Sequence, residues 1–279
     1  MKTIFDNVSH GCSKLVTNSY STSFSLASKM LSDTIRQDIY NIYGFVRFAD
    51  EIVDTFHAYD KNELFNDFER QMYDAIDKKI SLNPILNAFQ ETVHKYSIPA
   101  ELYEAFMKSM RLDLHKSDYL TREEFKAYIY GSADVVGLMC LKVFVKGDIL
   151  IYDELKGSAM HLGSAFQKVN FLRDLRADYE GLNRSYFPHT DLNQLDEHSK
   201  LMIIEDIEND FKLGLKGILR LPIEAKFGVY TAFIYYKKLL QKLKTTPSLE
   251  LKNKRIRVSN YQKIGLLAKS YLDYRLRII

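Results

Sequence analysis

The chain has 279 residues, 46% of them hydrophobic, enough for a sizeable buried core. Its 39 basic and 36 acidic residues leave a net charge of +3, too even a balance for a protein whose main partner is nucleic acid. Only 12 glycines and 5 prolines are present, so the punctuation a many-stranded protein needs is missing and an all-α fold is expected.

Hydrophobic periodicity predicts helices over about 9–30, 34–58, 61–79, 84–97, 99–116, 122–146, 149–180, 196–218, 222–244 and 258–277. Thr121 and Glu124 have the spacing of a capping box, and Pro99 and Pro222 sit where a missing N–H costs least. The substantial interruptions, 182–196 and 245–254, are short and mixed in composition, so a single domain over 1–279 is expected. Cys12 and Cys140 form no metal-type or redox-type pair, which fits a reducing compartment. The N-terminal segment lacks the continuous apolar core of a secretion signal, so a cytoplasmic location is expected. The most apolar stretch, Val135 to Val145, is about eleven residues and contains Lys142, short of the roughly twenty that span a bilayer. Peripheral membrane contact stays open.

Two segments carry chemistry. In YGFVRFADEIVDTF, Asp50 and Asp54 are four residues apart and share a helical face, with Arg47 one turn earlier. In QKVNFLRDLRADYEG, Gln167, Asn170, Asp174 and Asp178 follow at spacings of three, four and four, with Arg173 alongside. Both helices are apolar on their other faces, so the carboxylates are expected to be buried, where an unpaired charge is costly. Oxygen ligands without His or Cys favour a hard cation, and Mg²⁺ is typically held by a few carboxylates while it coordinates substrate phosphates. A diphosphate is the natural third party, with Arg47 and Arg173 as donors to its outer oxygens.

These motifs resemble the squalene and phytoene synthase family, the head-to-head prenyl synthases, from about Ser19 to Leu272. ADEIVD resembles the family's first aspartate-rich motif; the second, QxxNxxRDxxxD, is met at Gln167, Asn170, Arg173, Asp174 and Asp178. SYSTSFSLASKML resembles the early serine-rich segment, which implies Ser21 and Ser23 as diphosphate contacts and Phe24 in the site. YIYGSADVVG resembles the helix that lines the prenyl cavity, written YCxxVAGxVG, and brings in Tyr128 and Gly137. Ser132 and Asp134 depart from that pattern, placing polar groups where the family keeps apolar space. SYFP (185–188) and KRIRVS (254–259) resemble the carotenoid branch, and Arg255 and Arg257 become candidate contacts for diphosphate or anionic lipid.

The resemblance implies an isoprenoid-synthase-like helical bundle around a central apolar cavity. Asp50, Asp54, Asn170, Asp174 and Asp178 would bind two or three Mg²⁺ ions bridging diphosphate; Arg47, Arg173 and Tyr128 would assist. The reaction implied is 1′–1 coupling of two geranylgeranyl diphosphates to phytoene through a cyclopropyl diphosphate. C15 chemistry giving dehydrosqualene, squalene or hydroxysqualene is the alternative, and NADPH is expected only in a squalene-forming enzyme. A non-catalytic helical assembly factor of the same family is an alternative of another class. Oligomeric state stays open.

Overall fold

The computed structural model describes residues 1–182, 184–188 and 195–276; the interruption expected over 182–196 lies partly outside them, as does the last residue of the helix expected over 258–277. The helices are α1 (Lys2–Tyr20), α2 (Thr22–Ser28), α3 (Asp33–Asp54), α4 (Lys61–Lys78), α5 (Pro84–Tyr96), α6 (Ala100–Leu112), α7 (Arg122–Ile129) and α8 (Val135–Phe144). They continue with α9 (Ile149–Leu182), α10 (Glu197–Ile218), α11 (Ile223–Thr245), α12 (Ser248–Leu251) and α13 (Asn260–Arg275). Among the described residues there is no strand, only an isolated bridge between Asp118 and Ser185.

Local chemistry fixes the starts. Thr121 and Glu124 form the expected capping box of α7, and Ser259 and Gln262 form another on α13. Pro99 and Pro222 take the cap positions of α6 and α11, where no N–H is demanded. The helix expected over 9–30 is instead two. Ser21 is extended (φ −141°), and its Oγ accepts from the Phe24 N–H at 3.2 Å, ending α1 and starting α2. Periodicity does not register this break, because apolar spacing continues across it.

Helix α3 runs through the first apolar core. Phe45 is fully buried, stacked on Phe89 of α5 at 3.9 Å and flanked by Phe68 of α4 and Phe106 of α6. The second core joins α7, α9, α10 and α11 through residues such as Val169, Leu172, Ile207 and Phe233. Both α3 and α9 contact α8, and both contact α11, so these two helices set where the acidic stripes lie. The α8–α9 seam is a backbone contact: a Cβ on Gly163 would meet the Ala133 carbonyl at 2.8 Å, and one on Gly137 would meet the Ala159 carbonyl at 3.0 Å. Gly137 is thus a close-packing position.

The helical run Arg122–Phe144 is long and apolar enough to cross a membrane by composition, more than Val135–Val145 alone indicates, yet 56% of its most apolar window is buried by other helices. It is a core element. A π-turn, Tyr130–Asp134, interrupts it where the sequence departs from the family pattern. Asp134 is turned to α9, where its Oδ1 accepts from Ser164 Oγ at 2.7 Å; the buried Ser132 Oγ has no hydrogen-bond partner. The polar group expected to intrude on an apolar space is therefore satisfied on the helix-packing side.

Burial pushes the Asp134 carboxyl up to about 6, against the opposing hydrogen bond from Ser164. An unfolded aspartate loses its proton near pH 4, so this site costs the fold increasing stability as pH rises from about 4 to about 6 and a constant amount above that. Asp134→Asn, which keeps an acceptor for Ser164, is expected to raise stability by on the order of 1 kcal/mol at pH 8 and to lose that advantage near pH 4. Urea unfolding at the two pH values measures it; an equal effect at both would remove the burial argument.

Candidate active site

The two acidic segments lie on α3 and α9 as the spacing demands. On α3, Arg47 donates to Asp50 and, through its other terminal nitrogen, to Glu51. The Arg47 guanidinium stands over the Tyr20 ring at 4.5 Å, and its buried Nε has no acceptor. On α9, Arg173 Nε donates to Asp174 Oδ1 at 2.9 Å. Asn170 Oδ1 accepts from Tyr236 OH of α11 at 3.3 Å. Gln167 is half-buried on the same helix.

The stripes meet through electrostatics. Asp178 is pushed up to about 7 by burial first, then by Asp174 and by Asp54 of the other helix. Asp50 is also pushed up to about 7, by burial and then by Asp54, against the opposing effect of Arg47. Its side chain nevertheless keeps 33% of its surface accessible, so Asp50 stands at a mouth rather than in a sealed interior.

Two residues that no sequence motif marks, Arg184 and Asp113, complete the site. Arg184, 5% exposed, donates through Nη1 to Asp54 Oδ1 at 2.7 Å and through Nη2 to the Asp113 carbonyl at 2.8 Å. Burial acts to lower its pKa, but Asp113, Tyr186 and Asp54 outweigh that and hold it charged. Asp113, at the end of α6, accepts from Tyr128 OH at 2.7 Å and from Tyr119 OH at 3.5 Å, and burial pushes its carboxyl up to about 7. Tyr128 lies in an aromatic stack with Tyr119, Tyr186 and Phe171, its phenol pushed well up by burial and Asp113. Tyr128 thus backs the acidic cluster through Asp113. No periodic signal marks Asp113, which follows the last residue of a helix, and Arg184 sits just before the SYFP segment, outside any motif.

The remaining candidates divide. Ser21 caps α2 and lies within hydrogen-bonding reach of Tyr43, which stacks on Phe24 at 4.7 Å. Ser23 is half-buried on α2. Gly137 lies at the α8–α9 seam. Arg257 is exposed, with its carbonyl occupied by Lys242 Nζ at 2.8 Å; two residues earlier, Arg255 Nε reaches Asp174 Oδ1 at 2.6 Å. Arg255, not Arg257, joins the acidic cluster. Two cavities of about 340 and 430 Å³ lie elsewhere, beside Met30 and Phe227, and no candidate carboxylate lines them.

Among the described residues no three carboxylate, His or Cys side chains converge to ligate one metal ion. A metal here would take one or two carboxylates from the chain and its other ligands from substrate and water, the usual habit of Mg²⁺. The charge balance fits such a guest: Asp50, Asp113 and Asp178, each near 7, are short of positive charge despite four arginines.

The profile of the family described as squalene/phytoene synthase matches residues 17–262. The chain belongs to that family. It is 26% identical to a phytoene synthase from Arthrospira platensis, over 93% of this chain and 91% of that one. It is 24% identical to phytoene synthase 1 of Solanum lycopersicum, chloroplastic, covering 90% of this chain and 65% of the tomato protein's length. The fold matches a crystal structure of a dehydrosqualene synthase, with a TM-score of 0.80 at 20% identity over 97% and 98% of the two chains. It also matches a squalene synthase from Alicyclobacillus acidocaldarius, with a TM-score of 0.76 at 21% identity over 90% and 97%. The helical bundle expected from the residues is thus that of this family's members.

Arg184→Ala leaves Asp54 and Asp113 facing each other without their shared cation. The metal-free variant is expected to lose roughly 3 kcal/mol at pH 8 and distinctly less at pH 5, below the value of about 7 to which burial pushes the Asp113 carboxyl. Thermal denaturation followed by circular dichroism at both pH values reads the effect, and equal losses would assign Arg184 a packing role.

Proposed function

We propose that this protein is a Mg²⁺-dependent prenyltransferase that joins two geranylgeranyl diphosphates head to head, through a cyclopropyl diphosphate, to give phytoene and diphosphate. The observation that carries the reading is the approach of Asp54 and Asp178 from two helices, each acting on the other's charge, with Arg184 already paired to Asp54. Support for the C20 product comes from relatives named phytoene synthase at 24–26% identity and from the segments 185–188 and 254–259.

Asp50, Asp54, Asn170, Asp174 and Asp178 would hold the metal ions. When bound, Mg²⁺ supplies charge neutralisation to the departing diphosphate. Arg47, Arg173 and Arg184 would direct their N–H donors to the phosphate oxygens. Ser21 and Ser23 add hydroxyl contacts from the α2 side. Tyr128, Tyr186 and Phe171 form an aromatic wall behind Asp113 that keeps water from the allylic cation. The double bond of the second molecule then attacks the allylic cation, a proton is lost as the cyclopropane closes, the second diphosphate departs, the resulting cation rearranges to the 1′–1 link, and loss of a second proton ends the sequence without a reductant. This chemistry fits a cytoplasmic enzyme that exchanges apolar substrate and product with a membrane.

Incubation with geranylgeranyl diphosphate and Mg²⁺ is expected to release diphosphate and a C40 hydrocarbon, and chelation of the metal to stop both. Asp50→Asn and Asp174→Asn are each expected to lower turnover by on the order of a hundredfold or more while leaving the helical circular dichroism unchanged. A C30 product from farnesyl diphosphate in preference would move the assignment to the C15 branch. No diphosphate release from either donor would remove the synthase reading.

A further inference from the structure

Helix α13 is built inside out. Its buried residues are polar: Ser270 is fully buried and Lys263 is 8% exposed. Lys263 Nζ donates to Thr22 Oγ1 at 2.6 Å, Ser270 Oγ and Thr231 Oγ1 are 3.3 Å apart, and Tyr230 OH donates to Asp273 Oδ2 at 3.0 Å. Several of its apolar residues point outward instead, with Tyr261 89%, Ile264 65% and Leu272 57% exposed, as is Leu276 just after the helix at 69%, while Leu266, Leu267 and Tyr274 are half-buried. A helix that merely covers a core has the opposite arrangement. Tyr261, Ile264, Ala268 and Tyr271, at spacings of three, four and three, share this outer face with Leu272.

The face continues into the apolar cavity of about 430 Å³ between Ile264, Leu267, Tyr271, Met30 and Phe227. Met30 and Phe227 also line the neighbouring cavity of about 340 Å³, where the exposed Lys29 joins Arg36, paired with Asp33, and Glu224, paired with Lys146. Positive charge borders the other end as well. Between 252 and 276 the exposed cations Arg257, Lys269 and Arg275 lie near the stripe with one acid, Asp273, which is bonded to Tyr230; Lys263 is turned inward to Thr22, and Arg255 and Lys254 are paired with Asp174 and Glu250. An exposed apolar stripe rimmed by cations complements a surface that is apolar within and anionic at its edge. A second copy applied through the same face would set basic rim against basic rim.

We propose that the outer face of α13, with the Met30–Phe227 groove and the basic segment before the helix, docks the protein on an anionic lipid bilayer. The inference does not depend on the reaction proposed above. The apolar side chains enter the acyl boundary while Lys269 and Arg275 stay among the head groups.

Flotation of the full chain with vesicles of phosphatidylcholine, with and without phosphatidylglycerol, tests this. Binding is expected to the anionic vesicles, weakened by added salt, and to be slight on phosphatidylcholine alone. Ile264→Asp with Leu272→Asp, and separately Lys269→Glu with Arg275→Glu, are each expected to lower partitioning at least about tenfold with an unchanged melting temperature. Tyr261→Ser, at the most exposed of these positions, should weaken binding should either double variant fail to fold. Absent binding to anionic vesicles, or binding indifferent to all three variants, overturns the proposal. So does a dimer in sedimentation velocity that Ile264→Asp with Leu272→Asp dissociates, since a second copy would then own the face.

Discussion

Like charges held in apolar surroundings are the constraint on which the rest of this structure depends. Asp50, Asp54, Asp113, Asp174 and Asp178 are gathered from three elements, and burial together with mutual repulsion pushes Asp50, Asp113 and Asp178 up to about 7. A bundle free to relax would separate α3 from α9 and hydrate both. It is held by the Phe45 stack on one side and by the α8–α9 seam on the other, where backbone meets backbone at Gly137 and Gly163. Stability is spent there to keep a site that favours a cation.

The arginines that offset this repulsion fall into two kinds. Arg47 and Arg173 come from the acidic helices themselves, three residues and one residue from their partners. Arg184 and Arg255 arrive from outside helices, Arg184 from the segment after α9 and Arg255 from the stretch between α12 and α13. The first pair travels with its carboxylates; the second ties the acidic helices to distant parts of the chain. Arg184 alone joins the end of α3, the end of α6 and Tyr186. Any ligand that competes for Asp54 or Asp174 therefore acts on those connections as well as on the site.

This division explains what the sequence makes legible. A stripe such as Gln167, Asn170, Asp174 and Asp178 is set by helical period, so its shared face is readable in one dimension, and so is the Thr121–Glu124 cap. The partners of that stripe are set by tertiary approach. Asp113 and Arg184 carry no spacing that relates them across 71 residues, and Arg255 is chosen over Arg257 by the path of a loop. The break at Ser21 is hidden for another reason: apolar periodicity persists while a single hydroxyl captures the Phe24 N–H. Asp134 shows the reverse case. Its departure from the family pattern is plain in the sequence, but the consequence depends on the side to which a π-turn points it, and that side is α9.

Helix α2 connects these features. The extended residue Ser21 separates it from α1, to which Ser25 Oγ still ties it by donating to Asn18 Oδ1, and its two ends touch different parts of the chain. Toward the acidic site, Phe24 stacks on Tyr43, whose phenol burial pushes up to about 12, one turn before Arg47 on α3. Toward the outside, Lys263 of α13 holds Thr22, with the lysine's own desolvation borne by a hydrogen bond at 2.6 Å. The inverted face of α13 and the serine segment beside the carboxylates are therefore two sides of one short helix. The polar interior of α13 has a structural use in this arrangement: a helix that turned its apolar side inward would have no donor to offer Thr22, and α2 would lose its outer support.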